Sequence, residues 1–283
     1  MLTDPSFKNI AIGIAFSPTL EANVSEAARL SCMLGAKLLL IHVGKGSPEK
    51  IQIIDQFIGN CNQSQLSYEL VFKEGEPVDV ILEAVQEYHI DLLLLGALKK
   101  EKFVKFYLGS IARKITRKAT CSVLLITNPS VVRKPCKHVV VNSLKDTHTE
   151  RTIGTAFYVA HSLGSNQLTI VEEIEDQKIS IKIDDDQSLR KANLLKEKLK
   201  RQEESRVRGI LSHIPEEQKE GMFIETQAIF GKRGYSIGHY AQIVRADLLV
   251  MNGPKKYTFL SRFFPHDLEY ILKELPTDVL IVR

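Results

Sequence analysis

Apolar residues alternate along this chain between two patterns. Short, nearly continuous apolar runs at Ile10–Phe16, Lys37–Val43, Asp91–Leu95 and Ser122–Ile126 have strand length and end in turn residues, as strands buried on both faces do. Between them the spacing becomes helical. Val24, Ala27, Ala28, Leu30, Ser31 and Leu34 share one face after the capping candidates Asn23 and Ser25, and Gly35 ends the stretch. Further helices are expected at Pro48–Asn60, Pro77–Tyr88 and Ser110–Lys118, with another strand at Ser67–Lys73. Strict alternation of strand and helix implies parallel strands joined by right-handed crossovers, hence a doubly wound α/β sheet.

The second half repeats the first. Gly75–Ile126 aligns without a gap on Gly231–Val282 at a constant offset of 156, pairing "DLLLLG" with "DLLVMN" and "SVLLI" with "DVLIV". The opening strands align at an offset of 129, Ile10–Ile14 on Val139–Ser143, so copy two carries 27 extra residues within 171–221. The expected fold is two parallel five-stranded sheets in tandem, a unit at 1–129 and a unit at 137–283. Residues 130–136 link them, in a stretch whose two prolines and lack of periodicity mark a connection. The insertion is highly charged. After the acidic cap Asp184–Asp186, Leu189, Leu195, Leu199, Val207, Ile210 and Leu211 could form one face of a long helix, its charges facing solvent. The final strands of both units are apolar edges that would stand unpaired in an isolated unit, so they are expected to cover one another in a pseudo-two-fold contact.

Composition narrows the partners. At 283 residues, 44% hydrophobic and 25% charged, the chain resembles an ordinary globular protein. A net charge of +4 spread over dispersed lysines argues against nucleic acid. No apolar run approaches the ~20 residues of a membrane span and no signal peptide opens the chain, so a cytoplasmic protein without membrane insertion is expected. Cys32, Cys61, Cys121 and Cys136 lie far apart, which reads as reduced thiols.

Ligands of open parallel sheets bind beyond the carboxyl ends of the strands. In copy one the fourth strand ends at Gly96, and the next helix begins at Gly109-Ser110 after a lysine-rich loop. Glycine permits close approach to phosphate, and a helix N-terminus offers free N–H groups and a hydroxyl. Gly109 as a plain turn and Ser110 as a plain cap are the structural alternative.

With "GALKKEKFVKFYLGS" and the closing "TCSVLLI", both inside a duplicated unit, the chain resembles the universal stress protein family in its tandem form. The resemblance implies a Rossmann-like, adenine nucleotide alpha hydrolase-like fold and a loop reading Gly, two residues, Gly, nine residues, then Gly-Ser or Gly-Thr. Gly96, Gly109 and Ser110 match that loop, while Lys99 stands where its second glycine belongs. Lys100 and Lys102 could add charge to a phosphate. The aspartate that ATP-binding members place after the first strand is Ala15 here. Copy two carries Asn252, Lys255, Pro265 and His266 in the loop columns and Leu144 in the aspartate column.

The resemblance thus implies a cytosolic stress-response or regulatory protein with a degenerate ATP or phosphate site in unit one and none in unit two. It also implies pairing of the units and possible homodimers. The alternatives are a weak nucleotide hydrolase or phosphotransfer enzyme, or a regulatory module of a membrane transporter. No catalytic triad or metal-ligand spacing is present, so the chain is expected not to be an enzyme. The "GKRG" turn at Gly231 leaves Lys232 and Arg233 as minor candidates for anion contact.

Overall fold

The computed structural model describes residues 6–61, 66–99, 106–175, 181–182, 184–253 and 266–283. The first unit runs β1 (Asn9–Ile14), α1 (Leu20–Met33), β2 (Lys37–Val43), α2 (Pro48–Asn60), β3 (Tyr68–Lys73), α3 (Pro77–Glu87) and β4 (Leu92–Gly96). A two-residue hairpin, β5 (Leu98–Lys99) and β6 (Phe106–Tyr107), precedes α4 (Ser110–Lys118) and β7 (Ser122–Ile126). The second unit continues with β8 (His138–Asn142), α5 (Thr149–Leu163), β9 (Gln167–Glu175), α6 (Asp186–Leu211), β10 (Phe223–Gly231), α7 (Tyr235–Ile243), β11 (Leu248–Asn252), α8 (His266–Lys273) and β12 (Asp278–Val282).

Local chemistry accounts for several of these boundaries. Ser47 caps α2, accepting from the Lys50 N–H, and proline opens both α2 and α3, where the missing N–H costs no helical bond. The charged insertion folds as α6, begun by a capping box in which Asp185 accepts from the Ser188 N–H at 2.7 Å and the Ser188 hydroxyl meets the Asp185 N–H at 3.0 Å. Its apolar seam differs from expectation. Ala192 and Val207 are buried while Leu189 is 42% exposed, because the helix leans on the sheet through a small residue that permits close approach.

The units are joined more closely than two separate sheets. Their strands form one ten-stranded sheet in the order β10-β9-β8-β11-β12-β7-β4-β1-β2-β3. Every pairing of this sheet within a unit is parallel, and the seam between β7 and β12 is antiparallel, with Val279 opposite Leu125, Leu280 opposite Leu124 and Ile281 opposite Val123. The two edges thereby satisfy each other's backbone groups, and the two expected five-stranded parallel units continue into one sheet. One core layer, including Ile10, Ile12, Val139 and Phe157, lies under α1 and α5; the other, including Ala11, Val123, Leu249 and Leu272, lies under α3, α4, α7 and α8.

Polar contacts across the seam follow the pseudo-symmetry. The Asp278 carboxylate accepts from the Thr127 N–H at 2.8 Å and hydroxyl at 2.7 Å, while the Ser122 hydroxyl, in the corresponding column, accepts from the Arg283 N–H at 3.1 Å. Arg113 meets Glu269, its own counterpart in the repeat, at 3.5 Å. Arg117 Nε donates to the same carboxylate at 2.8 Å. A further duplicated device sits at the start of the fourth strand of each unit. Asp91 accepts from the Lys8 and Asn9 N–H groups, and Asp247 accepts from those of Lys137 and His138, so each aspartate ties the start of its unit's first strand to the fourth.

Candidate functional site

Strand order reverses between β1 and β4 in the first unit and between β8 and β11 in the second, opening a crevice at the carboxyl ends of each pair. In the first crevice the structure places Ala15 just beyond β1, exposed, its carbonyl closing a tight turn with the Ser17 N–H at 2.8 Å. Gly96 ends β4. A side chain there would lie 3.6 Å from Asn23 Oδ1, a buried acceptor with no hydrogen-bond partner. Gly109 is the N-cap of α4 with extended backbone and no side-chain cap, and Ser110 is exposed as the first helical residue.

The described residues of the segment between Gly96 and Gly109 form backbone pairs. Lys99 pairs with Phe106 in the β5–β6 hairpin, and the Phe106 carbonyl accepts from the Leu275 N–H of the second unit at 3.0 Å. The Lys99 side chain, Lys100 and Lys102 lie outside the described residues.

On the β2 side of this crevice, aromatic side chains fill the space. The Phe16 ring meets His42 edge-on with centroids 4.9 Å apart, and His42 in turn meets Phe72 at 5.7 Å. His42 Nδ1 lies 3.2 Å from the Ile14 carbonyl, so this nitrogen carries the proton and Nε2 is left to accept from Lys50 Nζ at 3.2 Å. Lys50 also donates to the Lys45 carbonyl and sits over the Phe16 ring. Gly46 is required here, because a Cβ would stand 2.9 Å from the Phe72 ring.

The second crevice is polar. β9 extends to Glu175, and the β8 and β9 ends with α6 enclose a cavity of about 290 Å³, whose walls include Leu144, Ile174, Leu199, Glu172, Glu175 and Glu203. Glu172 is 2% exposed and burial pushes its carboxyl up to about 7, with Glu203 nearby adding repulsion and Arg206 opposing it. Arg206 lies 3.4 Å from Glu172 Oε1 but is held mainly by Glu203 at 2.8 Å and the Ser143 carbonyl. Glu172 Oε2 is buried with no partner. Glu173 is also raised to about 7 by burial, yet both its oxygens accept backbone N–H groups, from Gly234 at 2.9 Å and Ile237 at 3.0 Å, at the start of α7. At the ends of β8 and β11, both polar atoms of Asn142 and the Oδ1 of Asn252 are buried without partners.

The "GKRG" turn is packed for structure. Gly234 has φ +77, and a Cβ on it would fall 2.4 Å from the Asp267 carbonyl oxygen. Arg233 is held by Asp267 at 3.2 Å and Glu175 at 3.7 Å, and Lys232 lies over the Tyr270 ring, so both cations are already partnered. His266 opens α8; its side chain, Lys255 and Pro265 lie outside the described residues. All four cysteines are free, and burial pushes the Cys121 and Cys136 thiols up to about 12, so neither is an activated nucleophile. Among the described residues, no three His, Cys, Asp or Glu side chains converge as metal ligands, and no helix is long and apolar enough to cross a membrane.

Residues 58–127 match the family model of the universal stress protein family. Over 76 residues it is 26% identical to the universal stress protein A-like protein of Arabidopsis thaliana, a stretch that covers 27% of this chain and 43% of that one. Over 61 residues it is 31% identical to a universal stress protein of Methanothermobacter thermautotrophicus, covering 22% of this chain and 41% of the relative. The chain spans less than half the length of these relatives. In fold, a universal stress protein from Archaeoglobus fulgidus superposes over 97% of this chain and 98% of its own, with a TM-score of 0.70 and 16% identity. A putative universal stress protein from Pseudomonas aeruginosa superposes over 98% and 94%, with a TM-score of 0.70 and 14% identity.

Sequence reasoning found the strand ends and the helix start of the first crevice. It missed Glu172 and Glu173, whose signal is a pair of carboxylates interrupting an otherwise apolar strand, "LTIVEEIE".

Proposed function

We propose that this chain is a non-catalytic, cytosolic stress-response or regulatory protein whose first unit keeps the frame of an ATP or phosphate site but has lost most of its grip on a nucleoside. The observation that carries this reading is the Phe16–His42–Phe72 cluster beside Ala15. Where a nucleoside would need space and a carboxylate, the chain supplies packed rings and a methyl group. The phosphate side is better preserved, with Gly96, Gly109, Ser110 and the free N-terminus of α4 in sequence around the crevice. The second unit retains none of the loop residues and is not expected to bind ATP. Pairing of the units through β7 and β12 makes the tandem chain equivalent to a dimer in itself.

Titration calorimetry with ATP tests this. A charge-assisted hydrogen bond contributes about 1.5 to 3 kcal/mol, roughly tenfold to more than a hundredfold in affinity. The unaltered protein should bind ATP weakly or not at all and should not hydrolyse it. Ala15→Asp combined with Lys99→Gly should strengthen binding at least tenfold. Tight binding or turnover by the unaltered protein would overturn the proposal.

A further inference from the structure

We infer that the cavity at the carboxyl ends of β8 and β9 takes a small organic cation, an ammonium or amidinium on an apolar body, held against the carboxylate of Glu172. This inference is independent of the nucleotide reading, which concerns the other unit.

Most charged groups around the cavity already have partners, and Lys145 stands exposed on its wall. Glu203 is engaged with Arg206 at 2.8 Å, and Glu175 with Arg233 at 3.7 Å. Glu173 lies deeper, its two oxygens taken by the N–H groups of Gly234 and Ile237. Arg206 reaches Glu172 only at 3.4 Å, and only at Oε1. The Ser143 hydroxyl also lies beside this carboxyl, and what remains without a partner is Oε2, on a residue 2% exposed in the wall of a cavity of about 290 Å³.

A carboxylate oxygen buried without a partner is costly to keep ionised, and a hydrogen-bonded cation offsets that cost most fully. The chemistry of the remaining wall selects the kind of cation. Leu144, Ile174 and Leu199 give an apolar surface, which suits a carbon body more than a hydrated ion. A metal ion would need several oxygens converging on one point, and the carboxylates here are spread and individually paired. The four glutamates of the wall outnumber its two cations, Lys145 and Arg233, so an anion would meet net repulsion. The first unit has no equivalent. β9 carries Glu172, Glu173 and Glu175 among its last four positions, whereas the shorter β2 ends in His42-Val43 and offers no acid there.

Phenethylammonium is a suitable probe, with phenylacetate as an anion of similar size and ATP as a third ligand. Saturation-transfer NMR and calorimetry on the full chain at pH 8 should show saturable binding of phenethylammonium and none of phenylacetate. Glu172→Gln should reduce the affinity at least tenfold, and Leu199→Trp, which fills the cavity from α6 without removing a carboxylate, should reduce it similarly. Glu49→Gln, on the exposed first turn of α2, should leave it unchanged. Absence of phenethylammonium binding would overturn the inference, as would equal binding by Glu172→Gln or competition for this cavity by phenylacetate or ATP.

Discussion

Replacing Glu172 by Gln should make the protein more stable at pH 8 and leave it nearly unchanged at pH 4.5. The Glu172 carboxyl is raised from 4.5 to about 7 because burial disfavours its charged form. The folded state therefore holds its proton more tightly than the unfolded chain does. Stability from this group is fully present below pH 4.5 and is lost as the pH rises through 7. At about 1.4 kcal/mol per pH unit, a rise of roughly two to three units amounts to about 3 kcal/mol of destabilisation by the ionised form. Gln removes that ionisation while keeping the shape. The loss of the 3.4 Å contact with Arg206 offsets part of the gain, but Arg206 retains Glu203 and the Ser143 carbonyl and is not orphaned. The net expectation is a gain of about 1 to 3 kcal/mol at pH 8, or roughly 2 to 10 °C in Tm for a chain of this size. Urea unfolding at half-unit steps from pH 4.5 to 8 measures the difference directly, and contributions from Glu173 and Asp278, present in both proteins, cancel. A difference that stays flat across this range, or a Gln variant less stable at pH 8, would refute the reasoning.

Other substitutions probe the frame. Gly234→Ala places a Cβ 2.4 Å from the Asp267 carbonyl oxygen at φ +77 and should lower stability by at least about 2 kcal/mol in thermal unfolding. Gly209→Ala, in the exposed last turn of α6 with open space around it, should raise stability by up to about 0.5 to 1 kcal/mol in the same assay. Leu280→Ala at the seam, where the side chain is 1% exposed, should cost about 2 to 5 kcal/mol by urea unfolding. Asp185→Ala should cost about 0.5 to 2 kcal/mol and speed amide exchange in the first turn of α6.

Much of the fold was legible because its signals are local. Pro48, Pro77 and Ser110 start their helices where the sequence put them, and the repeat at an offset of 156 identified the corresponding elements of unit two. The β4 strand begins at Leu92, one residue later than expected, because Asp91 turns its carboxylate to the Lys8 and Asn9 N–H groups. Leu189 illustrates the limit of periodicity. Its spacing fits the α6 seam, but which side of the stripe meets the sheet depends on the small Ala192, a tertiary matter. The candidate sites were less readable for the same reason. Gly96, Gly109 and Ser110 form a spaced motif in one segment, whereas Phe16, His42 and Phe72 come from three separate segments and meet only once the sheet is formed. Glu172 requires α6, an element of the insertion, to close the cavity around it.

The antiparallel seam also governs how the molecule can change over generations. In a symmetric pair of separate subunits every substitution is made twice, so any new residue must suit both sides of the axis at once. Here the two sides are encoded separately. Ser122 and Asp278 occupy equivalent columns and receive equivalent N–H groups, yet one is a hydroxyl and the other a carboxylate, and Arg113 faces Glu269 where a true dimer would set like charge against like. Covalent duplication thus permits complementary charges at the axis and lets one crevice fill with aromatic rings while the other gathers acids, so the two halves are free to specialise without losing the contact that holds them together.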